Sequence, residues 1–194
     1  ETTGLDFYQD EILQISILDV DTGEVLLDSY VKPYFTEDWP EARRVNHITK
    51  EMVCNAPYIY ELLPRLNQML AQVKTIVGYN FTGFDGEFLN RYGAIFNDDV
   101  VVEDLSNIFA AIYGEFSPKH GDFKFKNLST CADYFGYDWG EETAHNSLAD
   151  CRATAFCYQK SLEEVYQTLY KENIHKRDCG FFDESYDEYG DYNG

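Results

Sequence analysis

Positive charge is what this sequence has least of. Its 15 lysines and arginines face 35 aspartates and glutamates, a formal net charge of −20. Tight, non-specific binding to duplex nucleic acid depends on basic side chains neutralising phosphates, so that class of function is disfavoured. A nucleic-acid enzyme whose own carboxylates hold divalent cations stays open, because the cations supply the positive charge. Long apolar runs are missing too. None approaches the roughly 20 residues that a membrane span needs, and no signal-peptide pattern opens the sequence, so no membrane association is expected. The five cysteines, Cys54, Cys131, Cys151, Cys157 and Cys179, form no CxxC pair. They read as reduced thiols and not as zinc ligands, which suits a cytoplasmic protein. No internal repeat and no second domain are visible.

What is present fits one globular domain. The 194 residues are 44% hydrophobic and 16% aromatic, enough for a sizeable core. Glu11 to Asp19 carries Ile12, Leu13, Ile15, Ile17 and Leu18, a strand pattern, and Asp21-Thr22-Gly23 turns it into a partner strand from Glu24 to Val31. Thr36 to Ile48 reads as irregular. Thr49 is the expected N-cap of a short helix through Cys54, and a longer helix is expected over Tyr58 to Gln72, with Pro64 at its first turn or at a kink. Lys74 to Tyr79 reads as a buried strand and Val100 to Val102 as another. Helices are expected with Asp85 on the first turn, over Leu105 to Tyr113, over Leu128 to Phe135 with Gly136 closing it, and from Asn146 to Asn173. Gly114 to Lys126 reads as a loop. From Asp178 acids, glycines and tyrosines dominate without periodicity, the composition of a flexible tail. Strand–helix alternation after an antiparallel pair predicts an α/β fold with a mixed sheet.

Three acid-bearing stretches stand at strand ends or helix starts. Glu1-Thr2-Thr3-Gly4 would turn from extended backbone into a loop. Asn80-Phe81-Thr82-Gly83-Phe84-Asp85 places Asp85 on the first turn of a helix. In His145-Asn146-Ser147-Leu148-Ala149-Asp150, Asn146 or Ser147 can cap a helix that carries Asp150, with His145 just outside. Alone, this last stretch describes an ordinary helix start with an exposed histidine. Together, converging carboxylates repel one another unless cations bind them, and hard oxygen ligands favour Mg²⁺ or Mn²⁺. An imidazole beside them suits a general base.

These stretches resemble the DEDDh 3′–5′ exonucleases, a family with a ribonuclease H-like fold. Its members include the proofreading subunit of bacterial DNA polymerase III, RNase T and oligoribonuclease. Glu1-Thr2-Thr3-Gly4-Leu5 is similar to the family's Asp-x-Glu-Thr-Thr-Gly. Gly78 to Asp85 is similar to its second motif, and His145 to Asp150 to its third, His-x4-Asp. Val45-Asn46-His47-Ile48-Thr49 with Glu51-Met52-Val53 resembles its connecting segment. The resemblance implies a mixed five-stranded sheet flanked by helices, an exonuclease domain over residues 1–175, and an acidic tail over 176–194. It implies Glu1, Asp85 and Asp150 as ligands of two Mg²⁺ or Mn²⁺ ions, with His145 as general base. Thr2, Thr3, Gly4, Leu5, Asn80 and Phe84 would bind the substrate. The implied reaction is two-metal hydrolysis from the 3′ end of single-stranded nucleic acid, DNA favoured over RNA, releasing nucleoside 5′-monophosphates.

The sequence departs from the family in two places. Asn46 and His47 stand where the family often has His and Gly. The family's first aspartate would lie two residues before Glu1, outside the sequence, together with the central strand that carries it. The strands at Glu11–Asp19 and Lys74–Tyr79 are therefore expected to flank an empty slot, about 9–10 Å apart, twice the usual strand spacing. A non-catalytic module that binds a strand end or a protein is the alternative reading, and an acidic interaction protein a third. A polymerase or a second copy of the chain is the candidate protein partner.

Overall fold

The computed structural model describes residues 1–119, 121–141 and 145–178, with 169–178 given by their backbone. β1 (Gln14–Leu18) pairs antiparallel with β2 (Val25–Tyr30), with a register shift between Ile17 and Leu18. The turn between them is made by Asp19, whose Oδ1 accepts from the Thr22 N–H and hydroxyl, both at 2.7 Å. Gly23 follows at φ 74°, a conformation in which a side chain would be strained.

The stretch expected to be irregular contains a helix, α1 (Pro40–Asn46). Pro40 occupies its first turn, where a missing N–H costs nothing and the fixed φ is already helical. Glu41 at the start and Arg43 and Arg44 at the end complement the helix dipole. Trp39 is buried before it and donates from Nε1 to the Ile48 carbonyl at 2.8 Å. α2 (Lys50–Val53) follows Thr49 as expected, and α3 (Ile59–Leu70) buries Ile59, Leu66 and Leu70. Pro64 falls inside α3 and not in its first turn.

β3 (Thr75–Gly78) and β4 (Val101–Asp104) are parallel, and α4 (Asp85–Arg91) makes the crossover between them. α5 (Leu105–Tyr113) ends at Gly114. The expected loop that follows holds a small hairpin, β5 (Phe116–Ser117) and β6 (Asp122–Phe123). Two-residue strands have no readable periodicity; here Glu115 draws the far side in by ion pairs to Lys124 at 2.6 Å and to Lys126. α6 (Leu128–Phe135) closes at Gly136 as expected, and α7 (Ser147–Asp178) continues past the expected end at Asn173. The rest of the tail, residues 179–194, lies outside the described residues.

The mixed α/β class holds, but the expected single five-stranded sheet is not continuous. Among the described residues β1–β2, β3–β4 and β5–β6 are separate two-stranded sheets, and no ladder joins β1 to β3. α7 packs on both β1 and β3. One core lies between β1–β2 and the helices α3 and α4, built on Ile15, Leu27, Leu66 and Phe88. A second joins α5, α6 and α7 through Leu105, Phe109, Cys131 and Cys157. Cys54, Cys131, Cys151 and Cys157 are all free thiols. No described helix is long and apolar enough to cross a membrane.

Candidate active site

The start of α7 sets the site. Asn146 is its cap: its Oδ1 accepts from the Ala149 N–H at 3.2 Å, and its carbonyl from the Asp150 N–H at 2.9 Å. Asp150 therefore lies on the first turn, where the helix dipole favours a negative charge. His145, just before the cap, stands at φ 70°, an uncommon region for a residue with a side chain. Its backbone N–H donates to both Asp150 oxygens at 3.3 Å, so the imidazole is carried beside that carboxylate. The helix start is also tied to β1. The Ser147 N–H donates to Gln14 Oε1, and Cys151 Sγ to the Ser16 carbonyl, each at 3.3 Å.

The first motif lies against the residues that lead into β1. Thr3 N–H donates to the Glu11 carbonyl at 2.8 Å, and the Leu13 N–H to the Glu1 carbonyl at 2.7 Å. Thr3 is buried, its hydroxyl donating to Asp10 Oδ1 at 3.0 Å and accepting from the Glu11 N–H at 2.9 Å. A Cβ at Gly4 would come within 2.3 Å of the Asp10 carboxylate, so a larger residue there would displace the carboxylate that accepts from the Thr3 hydroxyl. Asn46 Nδ2 donates to the Thr2 carbonyl at 3.1 Å, so the connecting segment holds the first motif from behind. Leu5 extends into solvent at 83% exposure, an unpacked apolar side chain on the loop.

These elements bring Glu1, His145 and Asp150 together. One ligand atom from each lies within 4.8 Å of the others, although Glu1 and Asp150 stand at opposite ends of the domain sequence. Asp85 lies outside that three-residue cluster, at the first position of α4, yet close enough for its charge to interact with that of Glu1. The loop that delivers it is tightly wound. A Cβ at Gly78 would meet Phe81 Cβ at 2.7 Å, and one at Gly83 would meet Asn80 Oδ1 at 2.7 Å. Asn80 is left-handed at φ 60° and lines a cleft of about 510 Å³ with Tyr79, Thr82, Asn107 and Phe125. Phe84 packs inward on Phe88, ring centroids 5.0 Å apart.

The electrostatics are those of carboxylates held close. Burial, and then the negative charge of Glu1, pushes Asp150 up to about 6, while the His145 N–H works against the rise. Asp85 also rises to about 6, chiefly because protein atoms crowd its carboxylate, although a path to solvent remains. Such groups are relieved by a bound cation. The donor set, carboxylate oxygens with one imidazole, fits a hard divalent ion.

Two residues without a motif support this arrangement. Gln14 links β1 to α7 through Ser147 and donates to Asp28 Oδ1 at 3.2 Å. Asp104 accepts from Asn80 and Thr82 in the Asp85 loop. The only sequence signal for Asp104 is an acid between an apolar strand and an apolar helix, which marks an N-cap.

The chain is 26% identical over 174 residues to the PolC-type DNA polymerase III of Staphylococcus saprophyticus, covering 85% of this chain and 11% of that protein. The PolC-type enzyme of Staphylococcus aureus matches to the same extent. Thus the matched segment spans about a tenth of these relatives. Among solved structures, Exonuclease X in complex with 5′-overhanging duplex DNA superposes with a TM-score of 0.62 at 19% identity, covering 84% of this chain and 88% of that one. Exonuclease I of E. coli, in complex with a 5cy-dA13 oligonucleotide, gives a TM-score of 0.59 at 20% identity, with 88% of this chain and 41% of that one covered. At these identities the superpositions establish the ribonuclease H-like fold. Residues 1–158 match the family described as Exonuclease (RNase_T), and the chain belongs to that family.

Proposed function

We propose that this chain is a metal-dependent 3′–5′ exonuclease domain. It would hydrolyse phosphodiester bonds from the 3′ end of single-stranded nucleic acid, DNA favoured, and release nucleoside 5′-monophosphates. The observation that carries this reading is the convergence of Glu1, His145 and Asp150 within 4.8 Å; Asp85, on a helix start outside that cluster, is near enough for its charge to interact with that of Glu1. Glu1, Asp150 and Asp85 would hold two divalent cations, Mg²⁺ or Mn²⁺; when bound, these supply the positive charge that activates water and stabilises a leaving oxygen. The net charge of −20 agrees with a site that meets phosphates through cations and not through lysines.

In this reading a ring nitrogen of His145 takes a proton from water as the water oxygen attacks phosphorus. The bond from phosphorus to the 3′ oxygen breaks, and that oxygen leaves on the shortened strand and takes a proton from solvent, to which His145 in turn releases its own. The exposure of His145 leaves its imidazole accessible to a water at the cluster. Thr2, Thr3 and Gly4 would border the terminal nucleotide. Leu5, unpacked on the protein, would lie against its sugar or base, Phe84 would back that contact, and Asn80 would direct the strand. The likeness to PolC-type polymerases supports work at a polymerase, as a part of it or beside it.

The test is release of mononucleotides from a 3′-labelled single strand, DNA and RNA in parallel, by a chain with Asp-x placed before Glu1, in Mg²⁺. His145→Ala in that chain should lower turnover about 10²–10⁴-fold and leave strand binding nearly unchanged, as expected of a general base. Near-normal turnover in the variant removes His145 from the role. Strand binding with no release by the unaltered Asp-x chain would instead identify a non-catalytic end-binding module.

A further inference from the structure

Behind the Asp85 loop lies a buried acid that the reaction does not use. Asp104 ends β4 and is only 7% exposed. A charge in that position is costly unless it is hydrogen-bonded, and this one is saturated. Its Oδ1 accepts from the Asn80 N–H at 2.8 Å, the Ser106 N–H at 3.1 Å and the Ser106 hydroxyl at 2.7 Å. Its Oδ2 accepts from the Thr82 N–H at 3.2 Å and the Thr82 hydroxyl at 2.9 Å.

The bonds divide by purpose. Those to Ser106 cap α5, a task that asparagine, serine or threonine performs as well. Those to Asn80 and Thr82 cross from β4 to the loop after β3. Gly78 and Asp104 are register partners at the ends of these parallel strands, so the anchor spans neighbouring strand tips. Only a carboxylate, with two acceptor oxygens and no donor, can serve all these donors at once. The loop also needs an anchor. Asn80 is left-handed at φ 60°, a region that asparagine enters readily, so the turn forms locally while its placement depends on bonds from outside the loop. From Thr82 the chain passes through Gly83 and Phe84 straight to Asp85, and the Phe81 carbonyl accepts from the Gly86 N–H at 2.8 Å. The position of the Asn80–Thr82 turn therefore sets the position of Asp85.

We propose that Asp104 is a positioning residue, which holds the Asn80–Thr82 turn so that Asp85 presents its carboxylate to the Glu1–His145–Asp150 cluster. The inference rests on the exonuclease reading, in which Asp85 holds a cation.

The experiment is calorimetric titration of the full chain with Mn²⁺ alone, with urea unfolding measured on each variant. Asp104→Asn keeps the shape and one acceptor but places an amide donor against backbone N–H groups. It should weaken Mn²⁺ binding about 10–100-fold, the usual effect of removing a group that orients a ligand. The double variant Asp104→Asn with Asp85→Asn should bind no more weakly than Asp85→Asn alone, because the two act through one ligand. Thr82→Val, which cuts one loop contact, should weaken binding by a smaller factor, and Ser106→Ala, which cuts one cap contact, should leave it unchanged. Wild-type affinity in Asp104→Asn, or an additive loss in the double variant, overturns the proposal. If Asp104→Asn does not fold, the pair decides: weaker binding in Thr82→Val with unchanged binding in Ser106→Ala supports it, and equal affinities overturn it. A wild-type chain that binds no Mn²⁺ brings down the exonuclease reading itself and this inference with it, an outcome distinct from wild-type binding that Asp104→Asn leaves intact.

Discussion

Asp85 and Asp150 are both pushed up to about 6 from an ordinary value of 3.8. Each carboxyl therefore holds its proton more tightly in the folded chain than in the unfolded one. The stabilisation this represents is fully present below about pH 4 and is lost as pH rises through about 6. Above that range both groups are ionised and the fold bears their crowding. Without divalent ions, the wild-type melting temperature should carry a downward contribution between about pH 4 and 6. Asp85→Asn and Asp150→Asn should each lack part of it, so at neutral pH in chelator they melt at or above wild type. Added Mg²⁺ should raise the melting temperature of wild type and raise that of the variants less. Melting curves across pH, with chelator and with Mg²⁺, check this; a variant that unfolds at neutral pH would show that its carboxylate is structural.

Between residue and fold, single side chains fix whole connections. Glu11 stands in an apolar stretch and is only 4% exposed. Its carboxylate accepts from three consecutive backbone N–H groups, Tyr34 at 2.6 Å, Phe35 at 2.9 Å and Thr36 at 2.6 Å. Burial by itself would raise its pKa, but these bonds together outweigh burial and hold it below the ordinary 4.5. The stability it contributes is thus present above about pH 4.5 and is lost as pH falls through the lowered value, opposite in sign to Asp85 and Asp150. Glu11→Gln keeps one acceptor oxygen for three donors and should cost about 1–3 kcal/mol at neutral pH, because buried amides are left unpaired. Urea unfolding at pH 7 measures this, and the deficit should shrink toward pH 3. An unchanged midpoint would mean that the segment after β2 relaxes to water.

At the scale of the whole molecule, the tail carries part of the acidic excess and no lysine or arginine beyond Arg177. The sequence DCGFFDESYDEYGDYNG that closes the chain beyond Arg177 has no periodicity by which to bury a face. A chain ending at Asp178 should therefore keep its melting temperature and its Mn²⁺ affinity. A fall of several degrees on truncation would show that Phe181, Phe182 or Tyr186 docks on the body.

The order of the elements and the helix starts that carry His145, Asp150 and Asp85 were legible in the sequence, because both are local. His145 and Asp150 flank one helix cap, Asp85 opens another helix, and hydrophobic periodicity within a dozen residues separates strand from helix. Gly136 and Asn146 mark their helix ends by chemistry that acts within a few residues. α1 carried its own local sign in Pro40 and Glu41, though its short length and flanking loops obscured it. Tertiary structure alone decided the rest. The meeting of Glu1 with Asp150, the clamp of Glu11 on the amides of Tyr34 to Thr36, and the reach of Asp104 to Asn80 and Thr82 join residues about 20 to 150 positions apart. So does the separation of β1–β2 from β3–β4. Spacing along a chain encodes the repeat of a helix or a strand, whereas a contact between distant segments depends on how whole elements pack, which no local pattern contains.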